Sequence, residues 1–194
     1  MTVKRAHMVT KGYLRAWADS RGRVDVLDLK HGRGFSWSVE NATVVSYAYD
    51  PQVLSRDLER DYSEIEGAGV PALLKLRTAI QIDSDEQSAI IKFLDMHLDR
   101  GRYADQTDVR IPAVLLKNDG SIEDAELNLG DRLLLSQHVP DVLRLGPLGL
   151  ENGPWRLRDA RGLATGDGAV LLWQPTEGAG VATISSHFPQ PNYW

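Results

Sequence analysis

The chain reads as an α+β protein, with an N-terminal short helix and β-hairpin, two central antiparallel helices and closing C-terminal antiparallel strands. Three patterns predict this. Residues 23–39 alternate apolar and polar, residues 53–102 switch to a helical period, and short apolar runs between glycine-rich turns return from 155 onward. The 194 residues, 42% hydrophobic and 25% charged, suit an ordinary globular protein long enough to bury a core. Residues 1–194 are therefore expected to form a single domain: a basic N-terminal helix and hairpin over 1–50, a helical core over 51–103, and mixed strands with one helix over 104–194.

Tyr13, Leu14 and Trp17 recur at i, i+1 and i+4, the spacing by which a short helix anchors itself in a core. Asp19-Ser-Arg-Gly22 makes a turn, after which Arg23–Leu29 and Phe35–Val39 alternate around a second turn at 31–34. Together they form a hairpin, and Thr43–Tyr47 suggests a third short strand. Leu54, Leu58, Ile65, Gly69, Ala72 and Leu76 share one helical stripe. Gly67, Gly69 and Pro71 interrupt it, which predicts two helical pieces or one kinked helix over 53–78. Ser84-Asp-Glu-Gln87 has the pattern of a capping box and opens a helix to about Arg102, apolar over a wide arc. Beyond it, Arg110–Leu116 reads as a strand with Pro112 at an edge or start. Leu133–Leu145 reads as a helix broken by Pro140, and 155–157, 169–173 and 181–184 as three closing strands.

The chain has no cysteine, which removes disulfides, thiolate zinc sites and thiol catalysis together. No apolar run approaches the roughly 20 residues of a membrane span, and the N-terminus lacks the apolar stretch of a signal peptide. A cytoplasmic protein is expected, with no membrane partner. Charge is uneven. Residues 1–35 carry eight Lys/Arg against three Asp, a local +5 in a chain whose total is −5. Such a basic module suits a phosphate-bearing small molecule or nucleic acid, although a pI near 5.5 disfavours extended binding along a duplex.

Candidate chemistry centres on a few polar residues in unusual places. His7, Tyr13 and Arg15 crowd the start of the chain. His97 falls in the middle of an apolar helical arc, where both ring nitrogens need partners. Arg100 follows one turn later, and a buried arginine needs an anionic partner. Glu59 and Glu66, seven residues apart, share one flank of the preceding helix. If the two helices pack antiparallel, one glutamate can meet His97 or Arg100. A structural ion-pair network and a His/carboxylate site for acid–base work or a divalent metal both fit that geometry. Asp167 stands at a glycine-flanked turn, the commonest turn chemistry. Phosphate-cradling Gly-x-x-x-x-Gly-Lys, His-Glu-x-x-His and Gly-x-Ser-x-Gly patterns are all absent.

These residues fall in motifs resembling a bacterial family known as domain of unknown function 4238. Its opening His-x-x-Pro-x-x-Tyr-Leu-x-x-Phe is matched by His7, Tyr13, Leu14 and Trp17, with Thr10 where the family has proline. Its Leu-Glu and Ile-Glu are matched by Leu58-Glu59 and Ile65-Glu66. Its Phe-x-x-x-Gln-x-x-Arg is matched by Phe93, His97 and Arg100, with histidine for glutamine. A Trp-x-Leu strand corresponds to Trp155 and Leu157, and a Thr-Ser-Asp-Asn-Pro-Val turn to Thr165–Val170, where Gly, Gly and Ala replace Ser, Asn and Pro. The resemblance implies that His7, Glu59, Glu66, His97, Arg100 and Asp167 belong together, and it carries no assigned reaction.

Two functions follow as expectations. One is a hydrolase-like enzyme for a phosphate-containing substrate. His7 serves as base or metal ligand, Glu66 and Asp167 orient it or bind a divalent ion, and His97 is a second acid–base group. Arg15 and Arg100 hold the anion, beside Tyr13 and Glu59. The other is a non-catalytic module binding a small anionic ligand or a protein partner.

Overall fold

The computed structural model describes residues 5–46, 48–139, 144–157, 164–170, 172–173 and 183–184. Its architecture is α+β. Strand β1 (Arg5–His7) pairs antiparallel with β4 (Val44–Ser46), with His7 opposite Val44. Between them lie the short helix α1 (Lys11–Leu14) and the hairpin of β2 (Arg23–Asp28) and β3 (Arg33–Ser38), with Val26 opposite Phe35. The expected third strand at 43–47 therefore exists but leaves the hairpin to pair with a strand at the start of the chain; Tyr47 lies outside the described residues. The docking is held by Thr43, which sits in the left-handed region at φ 59°. Its hydroxyl accepts from Val9 N and donates to Val9 O, and its carbonyl accepts from Met8 N. Left-handed backbone is unfavourable for a β-branched residue, and these bonds to one strand end offset it.

Helix α2 spans Leu58–Arg77 without interruption and starts at a cap where the Asp57 carboxylate accepts from Arg60 N. Of the two forms expected around Gly67, Gly69 and Pro71, two helical pieces or one kinked helix, the first does not occur, and residues 53–57 lie outside the helix. Pro71 is on the exposed face, where the carbonyl it cannot satisfy meets water. Gly69 is required by packing: a Cβ there would lie 2.6 Å from Phe93 Cβ on helix α3 (Ser84–Arg102). The cap of α3 is one residue earlier than expected. Asp83 accepts from Glu86 N while Glu86 accepts from Asp83 N, a reciprocal pair. Lys75 bonds Glu86 at one end, Gly69 meets Phe93 in the middle, and Glu66 meets Arg100 towards the other end, so the two helices run antiparallel.

Strands β5 (Ile111–Leu116) and β6 (Ile122–Leu127) form a second hairpin, with Pro112 opposite Glu126 in a two-stranded sheet that has only edges. Helix α4 runs Leu129–Ser136, four residues ahead of the expected start, because Asn128 and Asp131 form their own reciprocal cap. The buried Asp131 carboxylate also accepts from Gln52, Val53 and Leu54 N, tying the loop before α2 to α4. Pro140, expected to break this helix, lies outside the described residues. Residues 155–157 are not a strand. Of the expected closing strands, Leu172–Trp173 (β7) and Thr183–Ile184 (β8) pair antiparallel, and residues 181–182 are outside the described set.

Two apolar clusters result. One joins β1 to α2, α3 and α4 through residues such as Met8, Tyr49, Leu58, Phe93 and Leu133. The other lies under α1 and the first hairpin and includes Val9, Leu14, Val24 and Ala169. Leu14 is buried as expected and Tyr13 half-buried, whereas Trp17 is at the surface beyond the end of α1. The segment 7–13 runs along the seam between the clusters, and this positions the site.

Candidate functional site

Thr10 precedes α1 at the position whose hydroxyl ordinarily caps a helix, but its side chain makes no cap bond. It turns instead towards the central helices, donating to Glu66 Oε1 at 2.8 Å and meeting His97 Nε2 at 3.0 Å. Gly12 lets the segment approach this closely, since a Cβ there would fall 2.7 Å from Val70 Cγ1. Arg100 Nη1 donates to the same Glu66 Oε1 at 2.8 Å. The Arg100 guanidinium also lies 4.5 Å from the centre of the Tyr62 ring and 5.4 Å from that of Tyr49, two cation–π contacts that help hold a charge only 1% exposed.

The hydroxyl of Thr10 has one proton. Because it goes to Glu66, His97 must supply the proton of the second bond, which assigns the neutral Nε2–H tautomer. Electrostatics agree: burial, reinforced by the Arg100 charge, pushes the His97 pKa down to about 3. The ring packs against Phe93 at 4.6 Å and Tyr13 at 6.0 Å between centroids, and Nδ1 has no hydrogen-bond partner among the described residues. His97 is thus a neutral donor locked in a core.

His7 differs. It is half-buried, and burial followed by the Lys11 charge lowers its pKa, opposed by the Glu40 carbonyl and carboxylate and by Glu66. Its Nε2 is buried and finds no hydrogen-bond partner among the described residues. Glu59 feels Glu66 as well, together with Arg100 and Asp57: burial raises its carboxyl while Arg100 draws it down, and Oε2 is buried without a hydrogen bond from the described residues.

The structure therefore gathers Glu66, His97 and Arg100 directly, with His7 and Glu59 within electrostatic reach. Tyr13 lies at the edge and donates to Thr165 Oγ1 at 3.2 Å. That bond draws in the 164–170 segment, whose Asp167 carbonyl and Gly168 Cα pack on Gly101, one residue from Arg100. The Asp167 side chain is exposed on one side, yet burial raises its carboxyl. Arg15 stands apart from the network, 67% exposed and paired with Glu40 at 3.5 Å. Lys11 shares that carboxylate at 2.9 Å. Among the described residues no group of three or more His, Asp or Glu side chains is placed to hold a metal ion, and no helix is long and apolar enough to cross a membrane.

Sequence reasoning missed Thr10, Tyr49, Tyr62 and Lys11. A small hydroxyl before a short helix reads as a cap, and the two tyrosines read as core. One signal was available for Thr10, because it and His97 both depart from the motifs the chain resembles. In the folded chain they touch.

A family profile described as protein of unknown function (DUF4238) matches residues 5–128, well over half of the chain. The chain belongs to this family. No curated protein and no solved structure matches it.

Proposed function

We propose that the protein is a hydrolase-like enzyme for a phosphate-containing substrate, with His7 as proton acceptor and Asp167 as proton donor. The observation that carries this is a half-buried His7 in the electrostatic field of Glu66. His7 keeps a buried ring nitrogen without a hydrogen bond from the described residues and is held neutral at pH 7, as a general base must be. Glu66, 29% exposed, is fixed from below by Thr10 and Arg100. Lys11 and Arg15 share the single Glu40 carboxylate, which leaves the Lys11 ammonium, close enough to lower the His7 pKa, incompletely matched for a substrate anion. Arg100 and His97 act here as positioning residues, holding Glu66 rather than touching substrate.

In this reading His7 removes a proton from water, the resulting hydroxide attacks phosphorus, and the bond to the leaving oxygen breaks. The leaving oxygen takes its proton from solvent or from Asp167, whose carboxyl burial raises, and the proton taken up by His7 then returns to solvent. A second reading, a binding module for an anionic ligand, is favoured by the closure of the Thr10–His97–Glu66–Arg100 network, with His97 and Arg100 each 1% exposed. Release of p-nitrophenol from mono- and bis-(p-nitrophenyl) phosphate separates the two. The enzyme reading expects turnover that falls about 100-fold or more in His7→Ala. Thermal stabilisation by the same esters without turnover, abolished in Lys11→Met, overturns it in favour of the module.

A further inference from the structure

The first hairpin carries a surface that the site above does not use. Side chains alternate between the two faces of a strand, so Val24 and Val26 of β2 share one face with Arg33, Phe35 and Trp37 of β3. The core covers this face on the β2 side only: Val24 is 7% exposed, whereas Trp37 directly opposite is 48% exposed. The Phe35 and Trp37 rings lie side by side, 4.7 Å between centroids and tilted by 49°. Each ring braces the other, so the pair forms an aromatic ledge that is set before anything binds.

Cations flank the ledge at both ends. Arg33 and Lys30 stand at the hairpin tip and Arg21 at its base, all exposed. None of the three side chains has a hydrogen bond or ion pair among the described residues. The neighbouring acids are drawn into the turns. The Asp28 carboxylate, cross-strand from Arg33, accepts from His31 N at 3.1 Å and meets the His31 ring at 2.6 Å. Asp19 accepts from Arg21 N and Arg23 N, both at 2.9 Å. Asp25 belongs to the reverse face.

This combination selects the ligand class. A sugar stacked on the rings would need carboxylates or amides beside them, and the free groups here are cations. Single-stranded nucleic acid fits both features: its bases stack on aromatic rings whatever their identity, and its phosphates meet Lys and Arg. In a duplex the base faces are stacked on one another and do not reach the ledge. The strand reads Arg33-Gly-Phe-Ser-Trp37, an order of cation, glycine, aromatic, small residue and aromatic. Sheets that stack single-stranded RNA on one face use this order, with Gly or Ala at the small position and Phe at the last.

We propose that the Phe35–Trp37 face of the first hairpin binds single-stranded nucleic acid, with two bases on the rings and the adjoining phosphates on Arg21, Lys30 and Arg33. The site is independent of the hydrolytic reading above, and either can hold without the other.

Fluorescence anisotropy with fluorescein-labelled strands of about twelve nucleotides tests this. His7→Ala protein is used, so that no turnover consumes the probe. The probes are oligo(U), oligo(dT), an abasic DNA strand and a duplex of the same length. The expected result is saturable binding of oligo(U), oligo(dT) or both, about tenfold or more tighter than the abasic strand and the duplex. The affinity is expected to fall with salt at a log–log slope of about −2, for three phosphate contacts. Trp37→Ala is expected to remove the preference over the abasic strand. Arg33→Met, a surface change, is expected to keep that preference and to reduce the salt slope by about 0.7. The proposal is overturned if neither base-bearing strand binds saturably, or if the abasic strand or the duplex binds as tightly. It is equally overturned if Trp37→Ala keeps the preference or Arg33→Met leaves the salt slope unchanged.

Discussion

Lowering the pH from 7 to 4 is expected to destabilise the protein through His97, and the sign follows from burial. In the unfolded chain this histidine takes up a proton near the ordinary 6.5, whereas in the folded chain it stays neutral down to about 3. Between those values the unfolded state binds the extra proton, so stability falls as pH falls. The contribution is complete above 6.5 and gone by 3. The slope approaches about 1.4 kcal/mol per pH unit, and the loss between pH 7 and 4 is roughly 3 kcal/mol. Other carboxylates titrate over the same range, so the comparison is with His97→Gln. Its amide can still donate to Thr10, and it cannot titrate. Guanidinium denaturation at both pH values is expected to give similar stabilities at pH 7 and, at pH 4, an advantage of roughly 3 kcal/mol for the variant. Parallel pH dependences for the two proteins would refute the reasoning, since they require a histidine that charges freely inside the fold.

The central helices supply a contrast in glycines. Gly69→Ala meets Phe93 at 2.6 Å and is expected to cost about 1–2 kcal/mol after its helix-propensity gain, whereas Gly67→Ala, with open space around it, is expected to stabilise by about 0.5–1 kcal/mol in urea titrations. Glu66→Ala strands the buried Arg100 charge and is expected to cost about 2–4 kcal/mol, while Arg15→Ala, removing an exposed pair, is expected to cost less than about 0.5 kcal/mol by the same measurement. Asp131→Ala removes the acceptor of four backbone N–H groups and is expected to cost about 3 kcal/mol or more, with hydrogen exchange accelerating at residues 52–54.

Much of the fold was legible where the pattern is local. The first hairpin follows from strict alternation, and α3 from its periodicity and the Glu86 that completes its cap. The cap itself slipped by one residue because Asp83 and Ser84 both qualify, and only the extended backbone at Asp83 decides between them. Strand β1 was missed because three residues carry no readable period and its partner lies some forty residues away. Strand β6 was missed because Glu123, Asp124 and Glu126 leave too few apolar positions for alternation to register. The uninterrupted α2 contradicts its own glycines and proline for a packing reason: one glycine is filled by Phe93 and the proline faces water. Within the site, the seven-residue spacing of Glu59 and Glu66 and the place of His97 and Arg100 on the next helix could be read from helical geometry. That Glu66 rather than Glu59 bonds Arg100, and that Thr10 links it to His97, depends on how two helices and a distant loop seat against each other.

The proposed site rests on His7 lying in the field of Glu66, and nitrogen-detected NMR titration of the His7 ring tests that most directly. The account predicts that His7 titrates below 6.5, shifts lower still in Glu66→Gln, and rises in Lys11→Met, a surface change that leaves the core intact. An unshifted His7 that ignores both substitutions would contradict it.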